Sequence, residues 1–174
     1  MEALLKSILE YSRAGRTESK PENINVRKLI HDVILTLNIP RGFKVEVTHD
    51  MVNEIFAARA ALERIFHNLI SNAIKHYDKD EGTILISWKL ISGYHQFSVN
   101  DDGPGIDPKF HDSVFEMFLT LRPRDEVEGS GMELTLIKKT VEYYGGTISL
   151  ESELGKGTTF LFTWPFRPLI EKKI

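Results

Sequence analysis

Apolar positions recur with helical spacing in some parts of the chain and alternate as in strands in others. The spacing of three and four residues predicts helices over residues 1–14, 26–39, 58–76 and 131–144. Alternation in steps of two predicts strands over residues 43–49, 83–90, 94–101, 147–151 and 158–164. Helices combined with adjacent antiparallel strands predict an α/β (α+β) fold, a two-layer sandwich with helices on one face of a mixed, mostly antiparallel sheet.

The length of 174 residues suits one domain. We expect its body at residues 26–166, followed by a tail at 167–174. The stretch 15–25 is polar and contains a proline, which is typical of a linker between the body and the first helix. Residues 107–130 are irregular and polar, so they predict a long connection inside the domain.

Composition excludes several classes of protein. The chain has 22 Lys+Arg against 25 Asp+Glu, a net charge of −3, which argues against a nucleic-acid-coating role. The absence of cysteine excludes disulfides and thiolate metal sites. No apolar run approaches the roughly 20 residues that span a bilayer, so we expect no membrane contact in this chain and a cytoplasmic location, with any membrane anchor elsewhere in a longer protein. Eight of the 12 glycines fall between Gly103 and Gly157, which directs attention to the second half.

The longest predicted helix carries a polar group of side chains. Asn68 and Asn72 are four residues apart and share a face, with Lys75 and His76 one turn further on. Amide oxygens are hard ligands suited to Mg²⁺, and an ammonium group suits phosphate. Taken alone, the same residues also fit the solvent-exposed face of an amphipathic helix.

A second candidate follows the strand at 94–101. Asp101 has the parity of the apolar residues Phe97 and Val99, so its carboxylate should point inward and needs hydrogen-bond partners. An exocyclic amino group of a bound base would serve, whereas a plain Asp-Gly turn is the alternative. Gly103, Gly105 and Ile106 complete this motif.

Two further motifs lie in and after the irregular stretch. Phe115 and Phe118 are three residues apart, which predicts a short helical turn packed on the core. The segment Gly129-Ser130-Gly131-Met132-Glu133-Leu134 opens a helix, where free backbone N–H groups could bind phosphate. This glycine pattern matches neither the dinucleotide-binding fingerprint nor the phosphate loop with its Gly-Lys-Ser/Thr ending.

The order and spacing of these motifs resemble the ATP-binding catalytic domain of two-component sensor histidine kinases. That domain has the Bergerat fold, which it shares with Hsp90 and gyrase. The helix motif from Asn68 to His76 resembles the family's N box, the Asp101-x-Gly103-x-Gly105 motif its first glycine box, the Phe115–Phe118 segment its F box and the Gly129–Leu134 segment its second glycine box.

The resemblance implies a bound Mg²⁺-ATP under a lid formed by residues 107–130. Asp101 would accept a hydrogen bond from the adenine amino group, with Thr158 supporting it through a water. Asn72, helped by Asn68, would hold Mg²⁺, and Lys75 would contact phosphate. The full set implied to surround the nucleotide is Asn68, Asn72, Lys75, His76, Asp101, Gly103, Gly105, Ile106, Phe118, Arg122, Arg124, Gly129, Ser130, Gly131, Met132, Leu134 and Thr158. Arg122 and Arg124 fit solvent-exposed surface residues equally well.

The resemblance also implies the reaction and its partners. Relatives that hydrolyse ATP carry a glutamate where this chain has Asn68, and an amide cannot act as a general base. We therefore expect transfer of the γ-phosphoryl group to a histidine on a dimerisation domain, and from there to the receiver domain of a response regulator. The alternatives are a degenerate signalling module that keeps the fold but binds nucleotide weakly, and an ATPase of the same superfamily.

Two features depart from the family pattern. None of the six histidines sits in the helix context of a phospho-acceptor, and residues 1–14 resemble the end of the second dimerisation helix. We therefore expect a fragment of a longer kinase, with a possible homodimer through that helix. Glu133 stands where the family has a third glycine, and it either points away harmlessly or weakens nucleotide binding.

Overall fold

The computed structural model describes residues 20–50, 52–117 and 131–167, together with Leu9. Its central element is a five-stranded sheet made of β2 (Phe43–Val47), β4 (Gly82–Ile91), β5 (Tyr94–Asp101), β6 (Ile148–Glu153) and β7 (Gly157–Pro165). These strands lie side by side in the order β2-β4-β5-β7-β6. Strand β2 runs parallel to β4, and every other neighbouring pair is antiparallel. The predicted mixed, mostly antiparallel sheet is therefore confirmed.

Three helices cover one face of this sheet. They are α1 (Val26–Thr36), α2 (Arg59–Lys75) and α3 (Glu133–Tyr143). Their buried residues form one core with strand residues of a single parity, such as Ile84, Phe97 and Phe162. Because a strand's side chains alternate between two faces, this shared parity shows that the helices lie on one side. In the described part of the chain no helix has the length and hydropathy needed to span a bilayer.

A small second sheet differs from the sequence prediction. Strand β1 (Glu22–Asn25) pairs antiparallel with β3 (Glu54–Ala57). The prediction of a linker over residues 15–25 is therefore wrong at its end, and β3 was not predicted. Strand β1 carries a single buried apolar residue, Ile24, so its four residues offer too little alternation for a periodic signal.

Apart from the strand at 94–101, whose bounds are as predicted, the remaining elements differ from prediction by a few residues at their ends. Helix α1 ends at Thr36 rather than residue 39, and α3 begins at Glu133 rather than residue 131. The hairpin at Ser92-Gly93 is confirmed, and both residues have the positive φ that a two-residue turn requires. Within residues 107–117, a short 3₁₀ helix (Pro108–Phe110) leads into a turn.

Candidate functional site

Asp101 is the last residue of β5 and is 8% exposed. The predicted inward orientation is thus confirmed. Its Oδ1 accepts a hydrogen bond from the Gly103 N–H at 3.0 Å, and the backbone N–H of Thr158 donates to the same carboxylate. Burial raises the pKa of Asp101 from 3.8 to about 6, and these two N–H groups offset only part of that cost. The site therefore holds a poorly solvated acceptor that a ligand's donor would satisfy.

The turn after Asp101 is anchored on the hairpin between β6 and β7. Gly105 has a φ of +72°, and a Cβ there would lie 2.1 Å from the Glu153 carbonyl oxygen. The Ile106 N–H donates to the Ser152 hydroxyl at 2.8 Å, and the Gly155 N–H donates to the Pro104 carbonyl at 2.8 Å. Gly105 is thus required by packing, a role that the sequence analysis did not predict.

Thr158 lies opposite Asp101 in the pairing of β5 with β7, and its backbone N–H interacts with the Asp101 carboxylate. Its hydroxyl lies 3.1 Å from that of Ser152. Ser152 therefore links the Asp101 pair to the Ile106 turn, a role that the sequence analysis did not predict.

The polar face of α2 holds the predicted amide pair. Asn68 and Asn72 are partly exposed, whereas Leu69 and Ile70 of the same helix are buried. Lys75 is exposed in the last turn, and His76 ends the helix with its N–H donating to the Asn72 carbonyl at 3.0 Å. Amide oxygens and one ammonium group are thus presented at the carboxyl end of this helix.

Tyr77 joins this helix end to the Asp101 turn. Its hydroxyl donates to the Asp102 carboxylate and lies 3.1 Å from the Asp102 carbonyl oxygen. A Cβ on Gly103 would lie 2.8 Å from the Asp101 carboxylate and 3.1 Å from the Tyr77 ring. Tyr77 therefore brings the residues after α2 next to the Asp101 turn.

At the start of α3, Glu133 folds back on the helix terminus. Its Oε2 accepts a hydrogen bond from the Met132 N–H at 3.1 Å. Gly131 has a φ of +69°, while Met132 is buried and Leu134 packs against the core. The carboxylate thus takes up a backbone N–H where a phosphate was predicted.

Part of the predicted site lies outside the described residues. These are Phe118, Arg122, Arg124, Gly129 and Ser130, together with most of the predicted lid. In the described part of the lid, Val114 is buried and the Phe115 ring meets Phe160 edge to face at 6.3 Å. Phe115 therefore packs on the core as predicted.

A magnesium ion bound here would depend on amide oxygens. Among the described residues, no group of three or more His, Cys, Asp or Glu side chains is placed to hold a metal. The pair Asn68 and Asn72 offers two neutral oxygens, which suits a cation that takes its remaining ligands from phosphate and water. The donor chemistry therefore fits Mg²⁺ carried by a nucleotide better than a resident metal.

Comparison with known proteins places the chain among nucleotide-binding domains. Residues 57–168 match the family described as histidine kinase-, DNA gyrase B- and HSP90-like ATPase. Cyanobacterial phytochrome A of Nostoc sp. is 36% identical over 168 residues, which cover 95% of this chain and 22% of that protein. The methanogenesis regulatory histidine kinase FilI of Methanothrix harundinacea is 32% identical over 169 residues, covering 95% of this chain and 19% of that protein. The chain thus spans about a fifth of these relatives.

Solved structures agree with the sequence relatives. Full-length ShkA in complex with AMPPNP superposes with a TM-score of 0.79 at 26% identity, over 96% of this chain and 36% of that one. The catalytic domain of the histidine kinase ThkA superposes with a TM-score of 0.69 at 25% identity, over 84% of this chain and 95% of that one. With the family match extending over most of its length, the chain belongs to the histidine kinase-, DNA gyrase B- and HSP90-like ATPase family.

Proposed function

We propose that this chain binds Mg²⁺-ATP and donates the γ-phosphoryl group to a histidine on a dimerisation domain of the same kinase. That histidine then supplies an aspartate on a response regulator. The observation that carries the proposal is the buried Asp101 carboxylate beneath a glycine turn, in a chain of an ATPase family. The AMPPNP bound to ShkA supports an adenine nucleotide as the ligand.

Adenine recognition would use the remaining hydrogen-bond acceptor positions of the Asp101 carboxylate. A carboxylate offers about four acceptor positions, and two backbone N–H groups reach this one. The adenine amino group would supply a further donor and relieve the cost of burying the charge. With no side chain on Gly103, the acceptor stays uncovered on that side.

The phosphates would lie along the polar face of α2. In this proposal Asn72 and Asn68 hold Mg²⁺, which neutralises charge on the phosphate oxygens. Lys75 adds a positive charge at the end of the helix, and His76 borders the nucleotide. The predicted contacts from Arg122 and Arg124 belong to the same proposal.

The chemistry favoured by Asn68 is transfer rather than hydrolysis. Asn68 cannot take a proton from water, so this chain lacks the general base of the ATP-hydrolysing relatives. In transfer, an imidazole nitrogen attacks the γ-phosphorus, the bond to the β-γ bridging oxygen breaks and ADP leaves. Such a reaction depends mainly on positioning and charge neutralisation, which the described residues can supply.

A weakly binding signalling module is the second candidate, because Glu133 favours it. Its carboxylate accepts the Met132 N–H at the terminus of α3, and would add a negative charge beside a triphosphate. The two candidates differ in affinity and in turnover rather than in fold.

The test is a calorimetric titration of the chain with Mg²⁺-ATP, combined with an assay of phosphate release. Kinase function predicts binding with little release of phosphate, and label from γ-³²P-ATP on an added dimerisation domain that carries its histidine. Steady phosphate release without an acceptor would favour an ATPase, and absence of binding at millimolar nucleotide would favour the second candidate. The Asp101→Ala variant is the matched control and should not bind.

A further inference from the structure

Tyr77 follows α2 directly and fills the space between three strands. Its ring meets Phe43 of β2 edge to face, with centroids 5.0 Å apart. A Cβ on Gly82, at the start of β4, would lie 2.4 Å from the Tyr77 ring, and one on Gly103 would lie 3.1 Å from it. The ring therefore needs glycine on both sides, which indicates a close and specific fit.

The Tyr77 hydroxyl contacts one particular peptide unit. It lies 3.1 Å from the Asp102 carbonyl oxygen, and that carbonyl shares a rigid peptide plane with the Gly103 N–H. The same N–H donates to the Asp101 carboxylate at 3.0 Å. The single hydrogen of the hydroxyl goes to the Asp102 carboxylate, so the hydroxyl holds Asp102 by its side chain. The residue that carries the carbonyl end of this plane is thereby fixed, and with it the N–H donor at the other end.

The same hydroxyl also restrains a second negative charge. The Asp102 carboxylate accepts from Tyr77 and, at 2.7 Å, from the Thr83 N–H. Burial alone would raise the pKa of Asp102, but these hydrogen bonds outweigh it and lower that pKa, so the group stays ionised. Two adjacent carboxylates are thus separated, with Asp102 held against β4 and Asp101 left for a ligand.

We propose that Tyr77 is a positioning residue of the nucleotide site. By holding Asp102, whose carbonyl shares a peptide plane with the Gly103 N–H, it orients the donor that sets the Asp101 carboxylate, and so determines the selectivity for adenine. This inference rests on the proposed function, since it assumes that Asp101 accepts from the base. Tyr77 itself need not touch the nucleotide.

The test compares ADP with inosine diphosphate, in which a carbonyl replaces the adenine amino group. Tyr77→Phe keeps the ring and its packing but removes the hydroxyl. We expect its affinity for ADP to fall about tenfold, and its affinity for inosine diphosphate to stay within about twofold of the wild-type value. Tyr94→Phe is the control, because Tyr94 lies at the opposite end of β5, and it should leave both affinities unchanged.

A second measurement reports the same effect without ligand. In an amide NMR spectrum, Tyr77→Phe should shift the Gly103 resonance, whose N–H is bonded to Asp101, and leave Gly93 in place. The proposal would be overturned if Tyr77→Phe lost affinity for both nucleotides equally, or if the Gly103 resonance did not move. Either result would leave the proposed function standing. A wild-type chain that binds neither nucleotide would overturn the proposed function itself.

Discussion

Replacing Asp101 by asparagine should stabilise the nucleotide-free fold while weakening ligand binding. Asp101 is 8% exposed, and burial raises the pKa of its carboxyl group from 3.8 to about 6. Asparagine has nearly the same shape and keeps an oxygen that can accept from Gly103, but it carries no charge to bury. The substitution therefore isolates the cost of placing an ionised group at this position.

The size of the effect follows from the displaced pKa. A group whose pKa is higher in the folded state contributes its full stability only below its unfolded pKa, here 3.8, and loses it as pH rises through about 6. A shift from 3.8 to about 6 corresponds to about 3 kcal/mol. Asp101→Asn should thus match the wild type near pH 3.8 and exceed it by about 3 kcal/mol at pH 8.

Urea unfolding of both proteins from pH 4 to pH 8, followed by circular dichroism, measures this difference. The stability gap should open between pH 4 and pH 6 and then remain constant. Added Mg²⁺-ADP should narrow the gap at pH 8, because ligand binding stabilises the protein that binds it more tightly.

A difference in free energy of unfolding between Asp101→Asn and the wild type that does not change with pH would refute this prediction. The prediction would also be refuted if Asp101→Asn were less stable at pH 8, since the two backbone hydrogen bonds would then outweigh the cost of burial.

Three further variants test other parts of the site. Glu133→Gly should raise the affinity for Mg²⁺-ATP about threefold in a calorimetric titration, since it removes a charge from the terminus of α3, and equal affinities would show that Glu133 is harmless. Gly105→Ala should lower the free energy of unfolding, measured in urea, by about 3 kcal/mol, because the new Cβ would meet the Glu153 carbonyl. Gly155→Ala has a similar φ but no atom within 4 Å of the new Cβ, so it should lower the same free energy by about 1 kcal/mol. Asn72→Ala should weaken ATP binding about tenfold in Mg²⁺ but leave binding in EDTA unchanged, and an equal loss in both buffers would argue against a metal ligand.

Most of the main sheet and its helices could be predicted from periodicity. The strand at 94–101 and the hairpin at Ser92-Gly93 were predicted with the bounds observed. Both signals, the alternation of apolar and polar residues and the two-residue turn, lie in consecutive residues of the sequence. Strands β1 and β3 could not be predicted, because each has four residues and gains its stability from pairing with the other. Residues 22 and 57 pair across a long stretch of sequence, so the pairing produces no pattern among neighbouring residues.

The candidate site divides in a similar way. Asp101 could be predicted because parity along one strand fixes its direction. Tyr77 and Ser152 could not, because their partners Asp102 and Ile106 lie 25 and 46 residues away in sequence. Tyr77 directly follows the amide-bearing helix, and that adjacency was the one available signal.

The most direct test of the central claim is an amide NMR titration of the chain with Mg²⁺-ADP. The resonances of Gly103, Gly105 and His76 should shift in a saturable way as nucleotide is added. Gly93, at the far end of β5, should stay unchanged. No shift at millimolar nucleotide, or shifts that avoid Gly103 and Gly105, would contradict the placement of a nucleotide site at Asp101.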